Sequence, residues 1–244
     1  MPADASSKSY YKRALLKLSG EALLGSAQYG IDPATTARFA SEIAEAAKSG
    51  TQICIVIGGG NIFRGLAGAV SGMDRVKADY IGMMATVMNA VALGNALGQA
   101  GAKAAIHSAI PVAQVAAPFD RDRAIGDLNS GHIVIFAGGT GNPFFTTDTT
   151  AALRAAEMGC DVILKATQVD GIYSDDPKRN PDAARFDRLT FDEALAKNLK
   201  VMDAAAFALA RDAKIPIVVF SASEEGSFAR VLRREQIATI VTAE

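Results

Sequence analysis

The sequence predicts an α/β fold of three layers, αβα, in which a mostly parallel central sheet carries helices on both faces. Two observations make that prediction: short apolar runs rich in Val, Ile and Leu recur along the chain, and helix-period segments separate most of them. A third sharpens it, because glycine-rich turns follow several of the runs, at the strand ends where such sheets place ligands.

The runs are ALLKL from Ala14, ICIVI from Ile53, AAIH from Ala104, IVIF from Ile133, VILKA from Val162, IPIVVF from Ile215 and ATIVT from Ala238. Short and nearly continuous, they suit parallel strands covered on both faces. Helical periodicity falls at 33–48, 79–99, 148–158, 204–214 and 226–234. The longest candidate, 76–100, is interrupted by Asp79, Asn89, Asn95 and Gln99, so it lacks the roughly 18 uninterrupted apolar residues of a membrane span. Its Met83, Met84, Val87, Met88 and Val91 fit either a core helix or one whose extra length packs against a second subunit. The segment 175–187, DDPKRNPDAARFD, reads as a loop, either a linker or a cover over a ligand. The pattern runs as one domain over 11–244, and residues 1–10, polar and without an apolar run, read as a frayed terminus that argues against export.

Half of the residues are hydrophobic and 21% are charged, enough for a large core and a solvated surface. A formal charge of −1 with both signs interspersed leaves no basic stripe, so a nucleic-acid polymer is not an expected partner. Cys54 and Cys160 lack metal-ligand spacing and read as small buried hydrophobes in a reducing compartment, the cytoplasm, in preference to a disulfide.

Four loops carry the functional signal. They are Lys17-Leu18-Ser19-Gly20, then Gly58-Gly59-Gly60-Asn61-Ile62-Phe63-Arg64, then Gly138 to Asp148 (GGTGNPFFTTD), then Lys165-Ala166-Thr167-Gln168-Val169-Asp170-Gly171-Ile172-Tyr173. Glycine turns let the main chain approach an anion with its N–H groups, and a following helix N-terminus adds partial positive charge, so phosphates are the indicated ligands. No G-x-x-x-x-G-K-[ST] run exists, and neither glycine turn completes G-x-G-x-x-G, which excludes a P-loop and removes the main support for a dinucleotide enzyme. His107 and His132 sit at strand ends away from these loops, so no Ser-His-Asp or Cys-His set is expected. That favours chemistry without a general base. Phosphoryl transfer onto a carboxylate or phosphate qualifies, because the acceptor oxygen is already ionised near neutrality (a phosphate's second pKa is about 6).

In this order the loops resemble the amino-acid-kinase family, and within it the bacterial UMP kinases. The resemblance runs from about residue 11 to the C-terminus, on KLSGEAL from Lys17, IGGGNIFRG from Ile57, GTGNPFFTTD from Gly139, KATQVDGIY from Lys165 and KVMDAAAFALARD from Lys200. It implies the amino-acid-kinase fold, with an acceptor lobe at about 11–164 and an ATP lobe at about 165–244. It also implies transfer of the γ-phosphoryl group of ATP to UMP, with Mg2+ accompanying ATP. On that resemblance ATP would contact Lys17, Leu18, Ser19, Gly20, Gly60, Arg64, Thr167, Tyr173 and Asp176. UMP would contact Gly59, Asp79, Thr140, Gly141, Asn142, Pro143, Phe144, Phe145, Thr146 and Thr147.

Lys17, Arg64 and Asp148 would be catalytic. Lys17 would bridge the transferring group, Arg64 would clamp an anion with its fork of donors, and Asp148 would orient Lys17. Asp79 cannot hold a phosphate on charge grounds, so a ribose hydroxyl is its implied partner. Read without the family, Asp148 is an N-cap at a helix start. Lys165 either helps position ATP or reaches solvent from a strand end, and Asp203 reads as a cap. The family also implies a hexamer inhibited by UTP, with GTP as a possible activator at Gly25, Ser26, Ala27, Gln28, Tyr29 and Gly30. No Lys, Arg or His lies between Lys77 and Lys103 to support a triphosphate from the long helix.

Overall fold

The computed structural model describes residues 11–63, 72–177, 179–197, 199, 202–235 and 238–243. The readings made for residues 1–10 and for Arg64 lie outside them.

A nine-stranded sheet forms the middle layer, from β1 (Arg13–Leu18), β2 (Gln52–Ile57), β3 (Ala104–Ser108), β4 (Ala117–Pro118), β5 (Ile133–Ala137), β6 (Val162–Thr167), β9 (Arg188–Thr190), β10 (Ile217–Ser221) and β11 (Thr239–Thr242). Two short strands, β7 (Ile172–Tyr173) and β8 (Arg185–Phe186), pair separately and antiparallel, the second of them inside the loop read at 175–187. The strand order is β4-β3-β5-β2-β1-β6-β10-β11-β9. All pairings in the large sheet are parallel except β10 with β11, which corrects the expectation that the run from Ala238 is one more parallel strand.

Side-chain alternation along the strands feeds two cores. Leu16, Leu18, Ile55, Ile135 and Leu164 face α1 (Pro33–Ala47), α2 (Arg75–Gln99) and α7 (Ser227–Leu232). Leu15, Val56, Phe136 and Ile163 face α3 (Arg121–Asn129), α4 (Thr147–Met158) and α6 (Ala204–Asp212). A further short helix, α5 (Phe191–Ala196), begins at a capping box in which Thr190 and Glu193 satisfy each other's backbone N–H groups. The three-layer reading therefore holds. Helix α2 is long and apolar enough to cross a membrane, yet it packs on α1, β3 and β5 with Asn89 fully buried, as a core helix of the layered fold does.

The connection from β5 through α4 carries the chain across β2 and β1 to β6, so α4 begins where strands progressing outward in both directions meet. Ligand-binding crevices open at such points, outside the carboxyl ends of the strands. Cys54 and Cys160 are free and buried, and contact with Cys160 together with burial pushes the Cys54 thiol well up. His107 is buried with Nε2 2.7 Å from Asp127 Oδ2, and His132 Nδ1 lies 3.3 Å from the Asp127 carbonyl.

Candidate active site

Alternation places Lys17 on the same sheet face as Leu15, and Lys165 on the same face as Ile163, so both ammonium groups emerge beneath α4. The two lysines are also register partners across β1 and β6. Asp148, in the first turn of α4, lies between them, with Lys17 Nζ 2.8 Å from Oδ1 and Lys165 Nζ 2.8 Å from Oδ2. The three side chains are only 11%, 16% and 13% exposed for Lys17, Asp148 and Lys165. Within this triad two cations face one anion at low dielectric, with Asp203 a further acid acting on Lys165 from the start of α6.

Burial by itself would raise the Asp148 carboxyl, but Lys17 and Lys165 more than offset it and hold its pKa below the ordinary carboxylate value. Burial lowers the Lys165 ammonium, with Lys17 adding to the effect and Asp148 opposing it, and the net direction is down. The cap reading of Asp148 is corrected. Thr146 is the N-cap of α4, its hydroxyl accepting from the N–H of Asp148 at 3.0 Å and of Thr149 at 3.3 Å, which frees the Asp148 carboxylate for the lysines. Asp203 caps α6, accepting from the Ala206 N–H at 2.8 Å, and it also accepts from the hydroxyls of Thr146 and Thr149. It thereby ties the start of α4 to the start of α6.

The glycine turns converge on the same end of the sheet. A Cβ on Gly20 would stand 2.4 Å from Asn61 Oδ1 and 2.7 Å from the Gly58 carbonyl, so the first two loops touch only because that side chain is absent. Gly59 approaches α2 as closely, its Cβ position 2.8 Å from the Gly82 carbonyl. Leu18 is a core residue, 1% exposed, and can offer a ligand only its main chain. Ser19 accepts from the Glu21 N–H at the start of a 3-10 turn, Gly20–Leu23.

The third loop is held by α2. Thr86 accepts from the Gly138 N–H at 2.8 Å, and Asp79 Oδ2 accepts from the Phe144 N–H at 2.8 Å. Asp79 also takes Arg75 Nε at 2.9 Å on each oxygen, with the Arg75 guanidinium 5.5 Å from the Phe144 ring centre. Between these anchors Thr140 and Asn142 bond to each other around Gly141, Pro143 leads into Phe144 in the left-handed region at φ 71°, and Phe144 and Phe145 are exposed. The loop closes at Thr147, whose hydroxyl lies 3.6 Å from a Gly58 Cβ position.

On the other side of Lys165 a cavity of about 650 Å³ opens, lined by Lys165, Thr167, Gly171, Tyr173, Asp176 and Val219 among others. That volume suits a nucleoside. Tyr173 donates to Asp170 at 2.6 Å, and Arg185 holds the same carboxylate at 3.1 Å. A second cavity, about 320 Å³, lies across Thr167 beside Ser19, Thr35 and Arg38, on the sheet face away from Lys165. The segment Gly25 to Gly30 forms an exposed turn near it, Tyr29 at the tip, with Gly30 hydrogen-bonded to Asn61.

Every described residue read as a site residue from the motifs thus lies along one end of the sheet. Sequence reasoning left Lys165 open and missed Thr86, Asn61 and Asn89. Their signal was polarity inside an apolar helix and after a glycine run, where a buried polar group must serve a partner.

The amino acid kinase family model matches residues 12–221. Among solved structures, the UMP kinase of Bacillus anthracis is 40% identical with a TM-score of 0.93, the match covering 97% of this chain and 98% of that one. The UMP kinase of Ureaplasma parvum is 38% identical with a TM-score of 0.90, over 95% and 98%. The uridylate kinase of Archaeoglobus fulgidus is 28% identical with a TM-score of 0.73, over 94% and 99%. A family match across most of the sequence, joined to near-complete overlap with these kinases, means that the chain belongs to the amino acid kinase family.

Proposed function

We propose that the chain transfers the γ-phosphoryl group of ATP to the phosphate of UMP, giving UDP and ADP, as a step of pyrimidine nucleotide biosynthesis in the cytoplasm. The observation that carries this reading is the Lys17–Asp148–Lys165 cluster, set between the loop Gly138 to Asp148 and the cavity bearing Tyr173 and Asp176. In this reading one nucleotide lies on each side of that buried cluster.

A UMP phosphate oxygen attacks the γ-phosphorus, the bond from γ-phosphorus to the bridging oxygen breaks, and ADP leaves with the electron pair. No proton has to be removed from the acceptor, in keeping with the absence of a histidine at the site. Lys17, fixed by Asp148, follows the charge on the transferring group, and Lys165 holds the donor phosphates. The first N–H of α4, at Thr147, and those of the glycine turns are the donors for the acceptor phosphate, since Thr146 takes the N–H groups of Asp148 and Thr149. Among the described residues no three His, Cys, Asp or Glu side chains cluster to hold a metal. That donor set fits Mg2+ carried largely by the ATP phosphates and water, which supplies charge neutralisation there.

In this reading residues 11–164 form the acceptor lobe and 165–244 the ATP lobe of one domain. Gly59, Asp79 and Thr140 to Thr147 serve UMP, and Lys17 to Gly20, Gly60, Arg64, Thr167, Tyr173 and Asp176 serve ATP. Because Asp79 is already engaged by Arg75 and the Phe144 N–H, it meets a ribose hydroxyl as part of that network. The chain works as a homo-oligomer, a hexamer, joined through the exposed apolar face of α2 that shows Tyr80, Ile81, Met84 and Met88. UTP is its inhibitor, and residues 25–30 are the segment at which GTP would act.

The test is ADP release from Mg-ATP with UMP, CMP, acetylglutamate and aspartate offered in parallel, with and without GTP. Turnover on UMP alone is expected. Turnover on a carboxylate acceptor, or none from folded protein that still binds nucleotide, sinks the reading.

A further inference from the structure

We propose that Asn61 and Asn89 are a positioning pair for phosphoryl transfer, fixing the peptide plane of the glycine turn from the middle of α2. Both are buried, at 3% and 0% exposure. Their amides bond reciprocally, Asn61 Nδ2 to Asn89 Oδ1 at 3.0 Å and Asn89 Nδ2 to Asn61 Oδ1 at 2.7 Å. Each nitrogen then spends its second proton on a glycine carbonyl: Asn89 on Gly58 at 2.6 Å, and Asn61 on Gly30 at 2.8 Å. The Asn61 main-chain carbonyl accepts from the Gly30 N–H at 2.9 Å, which closes a ring between the two turns.

An isolated amide at such a depth would be costly, but a matched apolar pair of similar volume would fill the space and leave only the Gly58 and Gly30 carbonyls without their donors. Packing therefore does not call for asparagine here; the carbonyl of Gly58 does. That peptide is trans, so pulling its C=O toward α2 turns the Gly59 N–H the opposite way. No acceptor among the described residues takes the Gly59 N–H, and Gly58 stands next to Thr147 of the acceptor loop. A glycine turn has several accessible backbone states, and the Asn89 hydrogen bond selects the one with the donor directed outward. Gly20 adds a constraint from below, since its missing side chain is what lets Asn61 Oδ1 lie against β1's loop.

This inference rests on the phosphotransfer reading above, and its test separates the two. Asn89→Leu, Asn61→Leu and the double variant are assayed for kcat and KM with Mg-ATP and UMP, for UMP and ATP binding by calorimetry, and for thermal unfolding. Each single variant is expected to lose about 100-fold in kcat, in line with misplacing reacting groups by about an ångström, and to melt several degrees below wild type, because the remaining asparagine and a glycine carbonyl lose their partners, while staying folded at the assay temperature. The double variant is expected to lose no more than either single one, because the two side chains act as a unit. Unchanged kcat and binding in a folded Asn89→Leu protein, or losses that multiply in the double variant, would overturn the proposal. Should Asn89→Leu not fold, Asn89→Ser, smaller and still polar, is read by the same assays and must show the same kcat loss. Wild-type protein silent on every acceptor sinks the phosphotransfer reading alone. The pair is then judged by nucleotide binding, which Asn89→Leu must weaken at least about tenfold.

Discussion

Lys17 and Lys165 stand directly opposite each other on adjacent parallel strands and share the single carboxylate of Asp148. Two ammonium groups this close and this buried repel each other, and the carboxylate between them offsets that repulsion. Removing Lys17 leaves Asp148 paired with Lys165, so the fold should survive. Lys17→Ala is expected to lower kcat about 1,000-fold with little change in the affinity for UMP, read by steady-state kinetics and calorimetry. Near-normal turnover would remove Lys17 from the transferring group.

Removing the carboxylate is the harsher change. Asp148→Asn removes the carboxylate that both buried ammonium groups share and leaves Asp203 as the nearby acid acting on Lys165, a loss of about 3 kcal/mol in denaturant unfolding. Asp148 raises the pKa of Lys165, so without it the lysine loses its proton at lower pH. The alkaline limb of residual activity should therefore move to lower pH. In the native protein the Asp148 pKa is depressed, so its stabilising contribution is complete above the ordinary carboxylate value and fades as pH falls through the lower, folded value. Asp148→Asn should accordingly flatten the acid arm of the stability profile. An unchanged alkaline limb would show that Lys165 does not report on this carboxylate.

Asp79 anchors the acceptor loop through Phe144 as well as facing the acceptor side. Asp79→Ala is expected to raise the KM for UMP about 10- to 100-fold with a smaller effect on kcat. It should also speed hydrogen exchange at the Phe144 amide. Unaltered exchange there would contradict the tether.

Gly20→Ala tests the contact between the first two loops. Its new methyl would overlap Asn61 and the Gly58 carbonyl, so a loss of about 1–3 kcal/mol and a drop of several degrees in Tm are expected, with activity falling further than stability. An active, equally stable Gly20→Ala protein would mean that the loops separate at no loss.

Much of this arrangement was legible in advance. Seven apolar runs marked the main strands because a strand buried on both faces needs them, and Lys17 and Lys165 stood out as charges ending such runs. Strands β4, β7, β8 and β9, two or three residues long, carry no periodic signal. The reversal of β11 was invisible because parallel and antiparallel buried strands share a composition. Without the family Asp148 reads as a cap, because its partners lie far along the chain, and only the resemblance set it against Lys17; the folded sheet shows Thr146 holding the cap position. Asn89 read as an interruption in an apolar helix; its meaning depended on Gly58, a contact across 31 residues.

The outward face of α2 offers a last test. Met84→Glu with Met88→Glu should shift the sedimentation profile toward monomer, since each exposes a carboxylate where an apolar partner surface would lie. An unchanged profile would exclude that face from assembly.

One helix thus has two clients. Asp79, Thr86 and Asn89 grip the loops on its inner side, while Tyr80, Met84 and Met88 project outward. Thermodynamic linkage makes such an arrangement reciprocal: whatever docking outside does to the hold on UMP, UMP must do to docking. For an assembly built on that face and coupled to UMP in this way, the apparent UMP affinity would become a function of enzyme concentration, and dilution would act as a regulator in its own right.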